Sequence, residues 1–448
     1  MPSPRPRSPS VRALSALASI SALALLSCDA APTLTQDGSG SPLDALRLLA
    51  GASSDASARP AISENDAGDD FPSAQLLEWG DGQRVDLTGD LNSAYDIDVY
   101  RVGPVRAGEL ITIDVRSSID TRAALFGSDE MLIEANDDRN YYAAQRDPRI
   151  AARLRRDYEF VYIVVAGKTA GLSNAAAQPT AAYTLALTRT PSIGQAPGPN
   201  SQVVWLEFRG GSFIQIASEP LQSVPPFSAK AIAPRLERHQ QQIIDRVVQL
   251  LREDYADFNV TFYRSDIDAR PVGPHSVLYF GGYSAAYLGL ADSVDWFNGQ
   301  TQQEAIIYTE TIALFDTLQP EWSAVAQAIA NVGGHELGHL LGLEHTSGAE
   351  SIMSEAASAQ QVLDIDARLM RAGLSPRVFP IGTQSAPMAL AYGVGLRIPT
   401  IGIDDYLKAV HAQRPAADDG VIEQEDALSL ESLGLRPCNH ASHGTGVE

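Results

Sequence analysis

Between residues 70 and 190 apolar and polar positions alternate in short runs: VDLTGDL, DIDVYRV, LITIDV, FVYIVVAG and YTLALT, separated by turn residues. A period of two predicts strands, and several short strands at this spacing predict an antiparallel β-sandwich. After the Pro/Gly stretch TPSIGQAPGPNS the pattern changes. VVWLEF (203–208), FNVTFY (258–263), SVLYFGG (276–282) and EAIIYTETI (304–312) read as strands. Ile243, Val247, Leu250 and Leu251 recur at helical spacing, so an amphipathic helix packs on a sheet there. Strand–helix–strand–strand order predicts an α/β (α+β) domain. A further helix follows Pro320 and ends at Gly342, since proline suits a first helical turn and glycine the reversal after a last one. IDARLMRAGL (365–374) reads as a closing helix, and residues 380–395 as packing beneath a cleft. The expected fold is multidomain: an all-β sandwich (70–190), a linker (191–201) and the α/β domain (202–397).

The flanks differ. Arg5, Arg7 and Arg12 precede an apolar run of roughly fifteen residues, the layout of a secretory signal peptide. The run ends at Leu25-Leu26-Ser27-Cys28, which resembles the lipobox of bacterial lipoproteins and makes Cys28 the expected lipidation site. Ordinary cleavage near Ala30 or Ala31 is the other reading. Residues 29–69, rich in Ser, Ala, Gly and Asp, read as a flexible tether, because few large apolar side chains are available to offset the entropy of ordering. Residues 398–448 read as an acidic, disordered tail. The expected location is the bacterial cell envelope, with secretion as the alternative and the lipid anchor as the only membrane contact.

A formal net charge of −22 excludes nucleic acid as a natural partner, because phosphate repels such a surface. Two cysteines, Cys28 and Cys438, build neither a disulfide framework nor a Cys-rich metal site.

The chemistry concentrates in GGHELGHLLGLEH (333–345), which holds three of the eight histidines. On a helix, His335 and His339 lie on one face with Glu336 beside them, a spacing that suits one Zn²⁺. Gly342 permits the chain to end the helix and turn sharply, which can return His345 toward the same metal. Three imidazoles leave a fourth position for water, as in catalytic zinc sites. A plain core helix is the competing reading, but it leaves Gly333 and Gly334 unexplained, each costing about 1 kcal/mol relative to alanine.

The run from His335 to His345 matches HExxHxxGxxH, and Ser351-Ile352-Met353-Ser354 supplies a methionine turn downstream. Together they resemble the metzincin zinc proteases, with a spacing like the matrixin branch. The resemblance implies an endopeptidase in which Zn²⁺ held by His335, His339 and His345 activates water, Glu336 is the general base and Met353 floors the site. It implies an extended polypeptide substrate added to a sheet edge, for which 304–312 is the candidate. No tyrosine follows Met353. Cys28 and Cys438 lie away from the pro-segment where animal matrixins keep a zymogen cysteine, so no cysteine switch is expected. His239 and His275 read as packing or surface residues.

Asp96-Ile97-Asp98-Val99-Tyr100, the turn Ala135-Asn136-Asp137-Asp138, Tyr158–Val165 and Tyr183-Thr184-Leu185 resemble the bacterial pre-peptidase C-terminal (PPC) domain, a small β-sandwich attached to secreted proteases. Its aspartates offer hard oxygen ligands for Ca²⁺ and equally read as turn and strand-edge residues. The alternative to an enzyme is a non-catalytic surface lipoprotein that keeps zinc for stability; a closed fourth coordination position would favour it.

Overall fold

The computed structural model describes residues 62–63, 67–80, 82–139, 145–172, 180–192, 196–355, 358–398, 402–412 and 429–441. Cys28, the signal and most of the tether lie outside them.

Ten strands form the sandwich: β1 (Ile62–Ser63), β2 (Gln75–Leu76), β3 (Arg84–Leu91), β4 (Ile97–Val102), β5 (Leu110–Ser117), β6 (Thr121–Gly127), β7 (Leu132–Asn136), β8 (Arg149–Arg153), β9 (Val161–Gly167) and β10 (Ala181–Thr190). One sheet has the order β1-β3-β10-β5-β8 and the other β2-β4-β9-β6-β7. The alternating runs are β3, β4, β5, β9 and β10. In β3 and β5 every second residue is buried, so one face meets the core, where Leu87, Ile113 and Leu185 pack on Val102, Leu125 and Ile163 of the other sheet. In β6 and β9 all residues are buried. The cause is a second cover. The outer face of that sheet, with Ala124, Phe126 and Val164, packs against Leu374 and Phe379 from beyond the histidine helix.

The second region carries a sheet of order β14-β11-β15-β17-β16-β20, from β11 (Gln202–Glu207), β14 (Val260–Arg264), β15 (Ser276–Phe280), β16 (Tyr287–Ser293), β17 (Glu304–Ile307) and β20 (Arg436–Ala441). A hairpin, β12 (Gly211–Ile214) and β13 (Gln222–Val224), covers one face through Ile214, Ile216 and Val224. The other face takes helices α1 (Ala229–Ile232), α2 (Gln240–Asp254) and α3 (Trp322–Leu340). The helical spacing is visible in α2, where Ile243, Val247, Leu250 and Leu251 are buried. Helix α3 is buried from Val325 onward with few breaks, because α2, the sheet and the methionine turn surround it. Short elements follow: α4 (Ala359–Asp364), β18 (Arg371–Gly373), β19 (Thr383–Ser385), α5 (Ala386–Gly393) and α6 (Ile403–Ala412).

Three expectations change. The closing helix at 365–374 is absent; α4 ends at Asp364, and β18 pairs with β19 there. The candidate edge 304–312 is interior, since β17 lies between β15 and β16, and its second half is a 3-10 helix. Within 398–448, read as a disordered tail, the structure places α6 and β20, and β20 extends the main sheet.

Candidate metal centre

Helix α3 delivers the first two histidines and its end delivers the third. Gly342 has φ +91°, the left-handed conformation open to glycine. Its N–H donates to His339 O at 2.9 Å, and the N–H of Leu343 donates to Gly338 O at 2.9 Å, a Schellman closure. The chain reverses there and returns His345 to the helix. The methionine turn sits below. Thr346 N donates to Met353 O, and Met353 is fully buried against Gly338, where a β-carbon would overlap its sulfur. Gly334 similarly leaves room for Ile352.

Second interactions aim each imidazole. His335 Nδ1 lies 2.8 Å from Ile352 O, and His339 Nδ1 lies 2.7 Å from Leu343 O. A carbonyl can only accept, so both Nδ1 atoms carry hydrogen and both Nε2 atoms present lone pairs. His345 Nδ1 faces Glu355 Oε2 at 3.4 Å. The three Nε2 atoms converge: His339 is 3.1 Å from His335 and 3.2 Å from His345. A tetrahedral site with bonds of ~2.0–2.1 Å has edges of roughly 3.3 Å, so the triplet has the dimensions of a zinc site. Burial holds His335 neutral, with its pKa lowered to about 4.

Cys438 completes the group, against the expectation of a remote thiol. Its Sγ lies 3.3, 3.2 and 3.0 Å from Nε2 of His335, His339 and His345. Among the described residues these four form the one group of three or more His, Cys, Asp or Glu side chains placed to hold a metal. The donor set fits Zn²⁺. Soft sulfur and imidazole nitrogen face one point from four sides, and a shared cation reconciles their lone pairs.

Glu336 is fully buried, and neither carboxylate oxygen has a hydrogen-bond partner. Burial pushes its pKa well above the ordinary carboxylate range. An unpartnered buried carboxyl costs stability, and such groups cluster at functional sites.

A mainly apolar cavity opens beside His335, lined by Leu288, Val332, Ile352, Val362, Ala367 and Leu430, with Asn331, Ser351, Ser354 and Gln361 among its polar walls. Of residues 380–395, read as packing beneath a cleft, Gln384 and Met388 line a second cavity with Tyr158 and Trp296. His239 stacks on Trp322, and His275 bonds Gly273 O and Arg270, as packing and surface roles require. In the sandwich, Asp96 accepts from Asn92 N. Asp98 accepts from Ala67 N and the Tyr183 hydroxyl, and Asp137 pairs with Lys168.

Three contributors carry no motif of their own: Glu355 beside His345, Cys438, and Gly289 of β16, whose lack of a β-carbon leaves room for the Glu336 carboxyl. Glu355 stands two residues past Met353 and could have been weighed as a partner for a ligand histidine. Nothing local to Cys438 pointed to α3, because the two meet only through sheet pairing.

Residues 248–368 match the model of the matrixin family (Peptidase_M10), a family of zinc metalloproteases. Comparison with curated proteins finds no match. Among solved structures, the PPC domain of a Bacillus anthracis collagenase is 14% identical, covering 29% of this chain and 98% of its own, with a TM-score of 0.19. Archaemetzincin from Methanopyrus kandleri is 15% identical, covering 38% of this chain and 89% of its own, with a TM-score of 0.22. A periplasmic inhibitor of g-type lysozyme from Aeromonas hydrophila is 13% identical over 29% of this chain and 99% of its own, with a TM-score of 0.20.

Proposed function

We propose that this protein is a zinc-dependent endopeptidase of the metzincin type acting on extended polypeptides. The observation that carries the reading is Glu336, a buried carboxyl without a hydrogen-bond partner, one residue from His335. A plain helix core gives no reason to keep it. Zn²⁺, when bound, polarises the scissile carbonyl and acidifies the attacking water. His335, His339 and His345 would hold it as neutral imidazoles, each oriented through Nδ1. Glu336 takes the proton of the water and returns it to the leaving amine. Met353 shapes the floor. The substrate strand would take the side of β16 that β20 covers in this structure, and a side chain would enter the cavity beside His335.

Replacing Glu336 by Gln in a chain that also carries Cys438→Ser, which leaves the fourth position open, tests this. Hydrolysis of fluorescein-labelled casein falls by about 10²–10⁴-fold, the usual weight of a general base, while one zinc per chain is retained. Unchanged hydrolysis would remove Glu336 from the reaction.

Cys438 favours a second reading, in which four protein ligands close a zinc site that only stabilises a surface binding protein. The unpartnered Glu336 argues for catalysis instead, since a closed structural site has no use for it.

Export to the bacterial envelope and lipidation at Cys28 belong to the same proposal, on the strength of the basic start, apolar run and lipobox. Incorporation of labelled palmitate, lost in Cys28→Ser, tests it.

A further inference from the structure

Strand β20 lies where a substrate strand would lie. Without it, β16 would be the free edge of the sheet, presenting unpaired backbone groups. β20 pairs with β16 in parallel, with Tyr287 opposite Arg436 and Gly289 opposite Cys438. Arg436 N donates to Ala286 O at 2.7 Å. The preceding turn is also docked. Ser429 bridges to Ser358, and Leu430 is buried in the wall of the cavity beside His335. One segment therefore does three things: it covers the sheet edge, contributes an apolar side chain to the pocket, and sets a thiol against three imidazole nitrogens. A peptide substrate needs the same three places.

We propose that residues 429–441 are an intrachain inhibitor of the site, holding the enzyme latent through Cys438 as fourth metal ligand and β20 as occupant of the β16 edge. The inference rests on the endopeptidase reading and adds its regulation. Coordination displaces the thiol proton to solvent and leaves sulfur on the metal; departure of the strand frees the edge, the pocket wall and the fourth position together. The inhibitor is held by a metal bond, a strand pairing and one buried leucine, so weakening any of them should release it.

The test uses the full chain with Cys28→Ser, so that Cys438 is the only thiol. Three readouts are taken: the near-ultraviolet absorption of the Co²⁺-substituted protein, reaction of the thiol with a disulfide reagent before and after chelation, and hydrolysis of labelled casein by the zinc form. The expected result is a sulfur-to-cobalt band lost in Cys438→Ser, a thiol protected until the metal is removed, and at least tenfold faster hydrolysis in Cys438→Ser. Leu430→Asp, which leaves the thiol in place, should also raise hydrolysis and expose the thiol. A thiol that reacts freely with metal bound, and no cobalt band, would overturn the proposal. So would equal hydrolysis with and without Cys438; the endopeptidase reading would then stand alone. A cobalt band with no hydrolysis in either variant would overturn both and leave a structural zinc site.

Discussion

Gly289 of β16 lies against the carboxyl group of Glu336, so close that a β-carbon at this position would overlap Oε1. The same glycine stands opposite Cys438 across the β16–β20 pairing. A strand glycine usually weakens a sheet, and one reason to keep it is the close approach of another group. Here that group is the proposed general base. Gly289→Ala should displace the Glu336 carboxyl and lower kcat for casein hydrolysis at least tenfold, measured with Cys438→Ser, while zinc content is unchanged. Full activity in the alanine variant would show that the position of Glu336 is not critical.

Glu355 is expected to orient His345. It faces Nδ1 of that ring and is itself bonded by the Ser375 hydroxyl. Loss of such a partner typically weakens metal affinity about 10–100-fold. Competition with a chelator should therefore strip zinc from Glu355→Ala at correspondingly lower chelator concentration, with the far-ultraviolet circular dichroism unaltered. Equal retention would assign Glu355 to the surface network with Arg377 instead.

Arg122 ties the sandwich to the segment that carries Ser375. It is 1% exposed, and its guanidinium donates to the carbonyls of Pro376, Arg377 and Val378 at 3.0–3.1 Å and to Ala170 O. Burial lowers its pKa to about 10, which still leaves it charged at neutral pH. Arg122→Ala leaves these carbonyls without their donor, and hydrogen bonds to charged groups are each worth about 1.5–3 kcal/mol. The expected outcome is a fall in thermal midpoint of several degrees and faster tryptic cutting at Arg377. No change in either would mean the two regions are joined by apolar packing alone.

Glu134 predicts a pH dependence of stability. It is 4% exposed in β7, and burial raises its pKa to about 7 from an ordinary 4.5. The native state thus binds this proton more tightly than the unfolded state, so stability is highest below the unfolded value and declines as pH rises toward 7. Glu134→Gln removes the cost of ionising a buried carboxyl. The variant should melt higher than wild type at pH 8, and the gain should shrink through pH 6 and vanish near pH 4, as differential scanning calorimetry would record. A gain independent of pH would assign the effect to packing.

The sandwich strands and the histidine helix were legible in the sequence because each rests on local rules. Period two gave β3, β5 and β10, helical spacing gave α2, and one glycine with a special backbone conformation gave the turn at Gly342. What was not legible depends on partners far along the chain. β6 and β7 have no exposed face, because residues 374–379 cover the outer side of their sheet, so their polar residues do not alternate with a buried face as in β3 and β5. The edge of the catalytic sheet could not be placed, because β16 follows β15 in sequence but β17 lies between them in space. Cys438 reads as a solitary thiol in an acidic stretch, and only the pairing of β20 with β16 carries it to the histidines.

The proposed function stands on a zinc ion held by His335, His339 and His345, on which Glu336 acts as base. Its most direct measurement is the rate of casein hydrolysis by zinc-loaded Cys438→Ser, set beside the same protein carrying Glu336→Gln as well. The expected result is one zinc per chain in both, hydrolysis in the first, and a rate lower by at least a hundredfold in the second. Equal rates in the two, or no hydrolysis by a zinc-loaded Cys438→Ser chain, would contradict it.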